Sequence, residues 1–446
     1  MRKKSLNFLF IFLFILNSCS FDNKTGIWKE HNKQIIKEAR SQEKIEKIFK
    51  KKEIFEDEIE SKDLVILSKE LKNISWPEDN LFENNDVPHL KYRNNKNQIF
   101  KSKKIGKKTS SFIEQNSEPL LLDNNLIFSD PRGYIFCYSI TRKKLIWDYN
   151  FYKKKFKNIP IKINLKIISG NLIASDNLGY FYKINIDTGK LIWAKNQGVP
   201  LTSEIKSFND KIFMLNQDNK FYIFDNSNGK KILDFETFPV ILKKDNKQTL
   251  TLDKANNLYF VTSAGQLFSL NHLSYKINWL KNIKGLDSSD EFGLFFSSPI
   301  ISKDNSIYLS TSQATMSIDT SGGNTNWEVP YGTKIRPIIS NNFIFLVTKN
   351  GFIINLELNS GKIVWSKKLF KSVKVDLAKA GEITSIFLIS DQLFITTKKG
   401  FFFFLNFKNG EVVNYAKVSK GFYSKPIVAN EKIYIIDKNM SILVFD

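Results

Sequence analysis

The stretch Asn171-Leu172-Ile173-Ala174-Ser175-Asp176-Asn177-Leu178-Gly179-Tyr180-Phe181-Tyr182-Lys183-Ile184-Asn185-Ile186-Asp187-Thr188-Gly189-Lys190-Leu191-Ile192-Trp193 decides the fold. Its apolar residues fall in short aliphatic and aromatic runs, broken at Asn177–Gly179 and at Asp187–Gly189. Such runs read as strands, because branched and aromatic side chains pack well on a pleated, half-buried surface. The breaks read as turns: Asp bonds to nearby backbone, and Gly reaches the φ > 0 region that a tight hairpin needs. The segment therefore predicts strand, turn, strand, turn, strand.

The unit recurs in register. Gly133 is followed by Trp147, Gly265 by Trp279 and Gly351 by Trp365, each fourteen residues on, as Gly179 is by Trp193. Trp327 follows Gly322-Gly323 in a further copy, and two copies carry Leu233 and Asn414 in place of Trp. Several copies open with Pro and an apolar run: Pro119-Leu120-Leu121, Pro299-Ile300-Ile301, Pro337-Ile338-Ile339 and Pro426-Ile427-Val428. The Trp-equivalent positions 147, 193, 233, 279, 327, 365 and 414 lie 38 to 49 residues apart, and a four-stranded propeller blade takes about 40–45. Seven full copies and a partial one from Pro426 to Asp446 predict an all-β, eight-bladed β-propeller. The partial copy lacks a fourth strand. Gln98–Lys103 is expected to supply it, closing the ring and removing an open sheet edge, with Phe100 standing where other blades place Trp. Five recurrences of one aromatic, at Trp147, Trp193, Trp279, Trp327 and Trp365, indicate a shared packing role between blades and not a ligand contact.

The N-terminal part has a different character. Met1-Arg2-Lys3-Lys4 is basic, and Leu6–Leu16 is apolar except for Asn7. Eleven helical residues reach about 16 Å, short of a hydrocarbon core of roughly 30 Å, so residues 1–18 read as a signal peptide. Leu16-Asn17-Ser18-Cys19 resembles the lipobox of bacterial lipoproteins. The resemblance implies lipidation of Cys19, and Ser20 after it in place of Asp favours the periplasmic face of the outer membrane. Residues 19–75 form an N-terminal tether. The scattered Ile35, Ile36, Ile45, Ile48, Phe49, Ile54, Phe55 and Ile59 fit either a ragged helical stripe or an extended linker with short docking sites. The propeller takes residues 76–446, with the closing strand near 98–103 and repeats from about 118.

The chain carries a formal net charge of +22, with Lys and Asn spread along its length. Lys, Asn, Ile and Phe share AT-rich codons, so base composition alone accounts for much of this; attraction to an anionic membrane surface is the other reading. Few Arg, and no compact Arg/aromatic patch, argue against nucleic-acid binding. Cys137 lies in Tyr134-Ile135-Phe136-Cys137-Tyr138 and reads as a small core residue, which leaves no disulfide. His31, His89 and His272 are isolated, so no zinc spacing exists; His89 reads as a turn residue and His272 as a loop residue. There is no phosphate-binding Gly-rich loop, no calcium-loop Asp run and no nucleophile elbow. Neither catalytic residues, a metal nor a cofactor is expected.

With Asp187-Thr188-Gly189-Lys190-Leu191-Ile192-Trp193 as signature, these units resemble the PQQ-like repeat of quinoprotein dehydrogenases and their non-enzymatic relatives. With the lipobox and eight blades, the nearer resemblance is to the BamB-like lipoproteins of the outer-membrane β-barrel assembly machinery, over roughly residues 76–446. Trp76-Pro77-Glu78-Asp79-Asn80 and Val87-Pro88-His89-Leu90 resemble the stretch ahead of the closing strand in alphaproteobacterial members. The resemblance implies a periplasmic scaffold that binds the POTRA domains of a BamA-like barrel protein and assists unfolded outer-membrane clients. A family loop with a Leu-Arg pair corresponds to Val199-Pro200-Leu201-Thr202, where Thr202 replaces Arg. A second, acidic loop corresponds to Leu294-Phe295-Phe296-Ser297-Ser298-Pro299, with Asp287, Asp290 and Glu291 displaced upstream. Val199, Leu201, Thr202, Phe295 and Phe296 are thus the expected partner-binding positions; equally, both loops could be packed connections. The alternatives are a quinoprotein dehydrogenase, whose usual vicinal Cys pair this chain lacks, or a sensory propeller with a ligand in its central channel.

Overall fold

The computed structural model describes residues 57–60, 64–108, 118–152, 156, 159–238, 247–283 and 295–446. The signal-like residues 1–18, Cys19 and the tether to residue 56 lie outside the described residues, as do Asp287, Asp290 and Glu291. Among the described residues thirty-two strands, β1 to β32 along the chain, form eight four-stranded antiparallel sheets. A short helix, α1 (Leu377–Ala380), lies between the sixth and seventh sheets. Among the described residues no helix is long and apolar enough to cross a membrane.

Blades 1 to 7 each take four consecutive strands. Their first strands are β2 (Leu120–Leu122), β6 (Ile163–Ile168), β10 (Lys206–Phe208), β14 (Leu250–Leu252), β18 (Ile301–Lys303), β22 (Ile338–Ser340) and β26 (Ile383–Ile389). Blade 8 starts with β30 (Ile427–Ala429), continues through β31 (Lys432–Ile436) and β32 (Ile442–Phe445), and is completed by β1 (Gln98–Lys101). First strands of neighbouring blades touch at β2/β6, β10/β14, β14/β18 and β22/β26, so the first strands line the central channel. β1 pairs with β32 through Phe100↔Val444 and Lys101↔Leu443. Ser102 continues the pairing, its N–H donating to Ile442 O at 2.9 Å. The closing strand expected at 98–103 is therefore present, and the ring has no open blade.

One contact repeats between blades. A Cβ on Gly189 would lie 2.7 Å from the Trp147 ring. The same holds for Gly229 and Trp193 (2.7 Å), Gly323 and Trp279 (2.8 Å), Gly361 and Trp327 (2.9 Å), and Gly410 and Trp365 (2.5 Å). Each Trp stands in the fourth strand of its blade, and each Gly in the hairpin before the fourth strand of the next. The indole N–H of Trp147, Trp279, Trp327 and Trp365 also donates to a carbonyl of the next blade (Ile186, Thr320, Leu358 and Phe407) at 2.8–3.1 Å. Where the aromatic shrinks, the glycine disappears. Leu233 precedes a blade whose hairpin carries Tyr275 at φ +60°, and Phe100 lies beneath Lys143 at φ +53°. The recurrent Trp and the recurrent Gly are two halves of one joint, since a left-handed hairpin pressed on an indole has room for no Cβ. Phenylalanines fill much of the remaining interblade space, as in the stacked Phe221–Phe260 and Phe260–Phe268 pairs at 5.1 and 4.8 Å.

This joint predicts coupling. Trp365→Ala should cost about 3–5 kcal/mol. Gly410→Ala should cost about 1–3 kcal/mol in the native background and clearly less beside Trp365→Leu. A double-mutant cycle by urea unfolding checks this; additive costs would mean that the two residues act separately.

Candidate functional site

In a chain of net charge +22, residues 73–90 contain four carboxylates, Glu78, Asp79, Glu83 and Asp86, and neither Lys nor Arg. This stretch enters the channel. The first strand of every blade turns one edge inward, and its N–H and C=O groups need partners. Trp76 exchanges two backbone bonds with Leu121 of β2 (2.8 and 2.9 Å). Ile167 of β6 donates to Pro77 O, Leu252 of β14 to Glu83 O and Ser302 of β18 to Asn84 O, at 2.8–3.0 Å. Ser207 N–H of β10 donates to the Glu83 carboxylate at 3.2 Å. Ser68 N–H reaches Ser340 Oγ of β22 at 2.9 Å, and Asn73 Nδ2 reaches Val428 O of β30 at 3.0 Å. Leu90 bridges β26 through Leu388 O and the Ser390 N–H. One segment thus touches all eight inner strands. Its sharp path needs Asn80 at φ +64° and Asn85 at φ +58°, conformations that asparagine accepts more readily than most residues.

The side chains of this segment meet cations from the ring. Lys166 and Lys206 occupy β6 and β10 and are almost fully buried. Lys166 Nζ contacts both Glu78 and Glu83. Lys206 Nζ donates to Glu78 Oε1 (3.3 Å), Phe82 O (3.1 Å) and Asn85 Oδ1 (2.7 Å). Asn85 Nδ2 binds Leu250 O and Ile300 O at 2.8 and 2.9 Å. Two ring carboxylates hold the start of the segment: Glu118 accepts from the Trp76 indole (2.7 Å) and the Asn80 N–H (2.8 Å), and Glu204 accepts from Asn80 Nδ2 (3.0 Å). Lys247 pairs with Asp79, and Lys303 pairs with Asp86 at 3.0 Å. Burial alone would push Lys206 down, but Glu78, Glu204 and Glu83 hold its ammonium above the ordinary lysine range. Burial raises Glu83, yet Lys166 and Lys206 outweigh it and keep the carboxyl low. The channel is therefore filled on its hairpin side by a peptide whose charges complement the wall.

The sequence reading set residues 64–75 in the tether, yet here they lie on the ring. His272 lies in the turn between Asn271 and Lys276, as expected of a loop residue, whereas His89 lies in an extended stretch and not in a turn; both are buried. His89 Nε2 accepts the Asp391 N–H (3.1 Å), so Nδ1 carries the proton and donates to Ser68 O (2.8 Å). Glu70 and Asp391 carboxylates approach Nε2 at 3.8 and 3.7 Å. The Nε2 lone pair is engaged by the Asp391 N–H, and this trio clamps the segment to blade 7. The His272 ring packs against Phe208, centroids 4.5 Å apart and tilted by 52°. Cys137 is buried in β4 (Tyr134–Ser139), and burial pushes its thiol up to about 12, which favours the protonated form.

The opposite face carries the turns between second and third strands and the connections between blades. Leu201 there is buried, its N–H bonded to Asp176 O at 3.1 Å. Phe295 is also buried and donates its N–H to Ser263 O at 3.1 Å. Val199, Thr202 and Phe296 are half-buried. Thr202 Oγ1 donates to Gln248 Oε1 (2.9 Å), and Lys334 Nζ lies 4.5 Å from the centre of the Phe296 ring. Of the five expected contact residues, these three are therefore accessible, while Leu201 and Phe295 anchor their loops.

If the inserted segment completes the channel, Lys206→Met should cost about 3–5 kcal/mol, because Glu78 is left with Lys166 alone and Asn85 Oδ1 and Phe82 O lose their buried donor. A chain beginning at residue 93 should melt many degrees lower and should recover on addition of a synthetic 64–92 peptide. Unchanged melting of the truncated chain by calorimetry would show that the channel needs no filling.

A family model described as outer membrane protein assembly factor BamB matches residues 170–367, which span blades 2 to 6. No curated protein sequence matches the chain. Among solved structures, BamB from Moraxella catarrhalis aligns with TM-score 0.63 and 12% identity, covering 79% of this chain and 99% of that one. Quinohemoprotein alcohol dehydrogenase from Comamonas testosteroni aligns with TM-score 0.65 and 10% identity, over 83% and 80% of the two chains. A europium-containing methanol dehydrogenase aligns with TM-score 0.60 and 13% identity, over 81% and 89%. At such identities the structures share a fold and nothing narrower. With the repeat signature and the eight closed blades, this chain is an eight-bladed β-propeller of PQQ-like repeats whose central five blades are similar to BamB.

Proposed function

We propose that the chain is a non-catalytic scaffold of the outer-membrane β-barrel assembly machinery, held by lipid on Cys19 at the periplasmic face of the outer membrane. It binds the POTRA domains of a BamA-like barrel protein and assists insertion of outer-membrane clients. The observation that carries this reading is the occupied channel. A propeller enzyme or sensor needs room at the ring centre for cofactor or ligand, and here residues 76–90, with Ser68 and Asn73, fill the hairpin side of the channel and bond to all eight inner strands. What remains for recognition is the outside, chiefly the connection face with Val199, Thr202 and Phe296. From Cys19 to residue 57 the chain can span at most roughly 130 Å, which lets the ring reach a partner well away from its anchor.

Affinity purification of a tagged copy from detergent-solubilised envelopes, read by mass spectrometry, tests the proposal. A barrel protein with POTRA domains should be recovered. Val199→Glu with Phe296→Glu should reduce that recovery about tenfold or more, equivalent to roughly 1.4 kcal/mol, without lowering the melting temperature. A tightly bound quinone, or a cytochrome as the main partner, would instead favour the quinoprotein lineage shared by two of the structural neighbours.

A further inference from the structure

The Glu70, His89 and Asp391 side chains meet on the hairpin side of blade 7, and the backbone sets them there. Leu71 N–H donates to His89 O at 2.7 Å and Lys91 N–H to Leu71 O at 2.9 Å, so Glu70 and His89 lie side by side on neighbouring extended stretches. Leu90 N–H donates to Leu388 O at 2.9 Å and Ser390 N–H to Leu90 O at 3.1 Å, which brings the Ser390-Asp391 turn of blade 7 alongside. One oxygen from each carboxylate and His89 Nε2 all lie within 4.8 Å of one another. No sequence spacing shows this group, because its members come from three separate stretches.

The charges of this group do not close among themselves. His89 Nδ1 donates to Ser68 O at 2.8 Å, so the Nε2 lone pair points between the Glu70 and Asp391 carboxylates, 3.8 and 3.7 Å away. Two carboxylates that face a lone pair repel it and each other. Neither pairs with a lysine or arginine, although Lys69 and Lys408 line the adjoining cavity. That cavity, of about 690 Å³, also holds Gln392, whose buried Oε1 has no hydrogen-bond partner. Three acceptor groups therefore converge around one N–H donor, that of Asp391, 3.1 Å from Nε2. The ring is oriented as in a metal-bound imidazole, where the second nitrogen donates to a backbone carbonyl and so fixes tautomer and direction.

We infer that Glu70, His89 and Asp391 hold a zinc-class divalent cation, which fastens the inserted segment to blade 7. One imidazole nitrogen with two carboxylate oxygens suits zinc and its first-row neighbours better than magnesium or calcium, which take oxygen ligands. Ligands about 2.1 Å from a tetrahedral zinc ion stand roughly 3.4 Å apart. The observed 3.7 and 3.8 Å are a little wider, so each carboxylate closes inward on the ion. Asp391 is exposed and Glu70 half-buried, which leaves both free to do so, while His89 is fixed by burial. Coordination takes the lone pair that the Asp391 N–H holds, and that amide, at an exposed turn, passes to water. Water also completes the coordination on the cavity side. The inference stands apart from the scaffold reading above, because it concerns how the ring holds its own centre.

The test uses the full mature chain without a histidine tag, freed of metal by chelator and titrated with Co²⁺ and then Zn²⁺. The expected result is one Co²⁺ per chain with visible d–d absorption, displaced by Zn²⁺. The melting temperature should rise with Zn²⁺, because the ion binds only the folded chain. Glu70→Gln with Asp391→Asn removes both charged ligands at nearly constant shape. It should weaken Co²⁺ binding by at least the roughly 10- to 100-fold that loss of an outer-shell partner costs, with metal-free melting no lower than native. Asp391→Asn alone, at an exposed turn, keeps the test decisive if the double variant folds poorly, and should weaken binding about tenfold or more. His31→Gln should change nothing. No Co²⁺ uptake by the native chain at roughly 100 μM, far above the dissociation constants of structural zinc sites, would overturn the inference. So would uptake that the carboxylate variants retain or that His31→Gln abolishes. If acidification to about pH 5.5 stabilised the metal-free native chain but not the double variant, and neither took up Co²⁺, a proton on His89 would hold the carboxylates and the inference would be wrong.

Discussion

A closed ring of blades turns eight strand edges toward its own axis, and the rest of this molecule depends on how they are satisfied. Water could do it, as in an open channel, or a ligand could. Here the chain does it with its own backbone, and the choice has consequences for the wall. Once the axis is filled by peptide, any charge facing it is buried and must find an opposite charge. Lys166 and Lys206 stand in inner strands where other blades carry Leu120, Ile301 or Ile338, and they are tenable there because Glu78 and Glu83 arrive with the segment. A buried pair of this kind adds little net stability over an apolar contact. It does set register: slid by one residue, the segment would leave every ammonium facing the wrong group.

Around the circumference the organising contact is different. Five of the eight interblade joints are an indole beneath a left-handed glycine, and the glycine is absent where Leu233 or Phe100 replaces the indole. Because both partners must change together, the joint conserves the angle between blades while strand lengths and connections vary. That fits a ring whose copies differ from 38 to 49 residues in spacing yet close without a gap.

The sequence shows the circumference far more plainly than the axis. Gly-to-Trp spacing and hairpin residues repeat, so blade number and the closing strand at Phe100 could be read directly. The pairing of Trp with the next blade's Gly was also in the sequence, in that Leu233 and Phe100 are each followed by a hairpin without Gly, though it shows only once the blades are placed. The inserted segment occurs once and has no period. Its one outward sign is compositional, a run from Asn73 to Leu90 with four acids and no base in a strongly basic chain. With Ser68 just ahead of it, it meets the eight inner strands through two β-bridges, at Trp76 and Leu90, and otherwise through single hydrogen bonds, which no local pattern encodes. The loop residues fared unevenly for a related reason: Leu201 and Phe296 look alike as exposed apolar positions in a connection, and only the fold shows that Leu201 is enclosed between blades 2 and 3.

The path of the chain through the ring also bears on how it folds. The segment that seals the axis and the strand that closes blade 8 both precede blade 1 in the chain, whereas blade 8 comes last. Contacts such as Tyr92 with Asp446 and Ser102 with Ile442 span 354 and 340 residues. Such separations imply slow, non-local folding, in which the earliest part of the chain waits for the latest. Until then seven or eight half-satisfied blades and an acidic peptide coexist as separate pieces, so closure of the ring and filling of its axis are late and mutually dependent events. A protease that removed the segment before residue 93 at that stage would leave a ring with its last strand but without its centre.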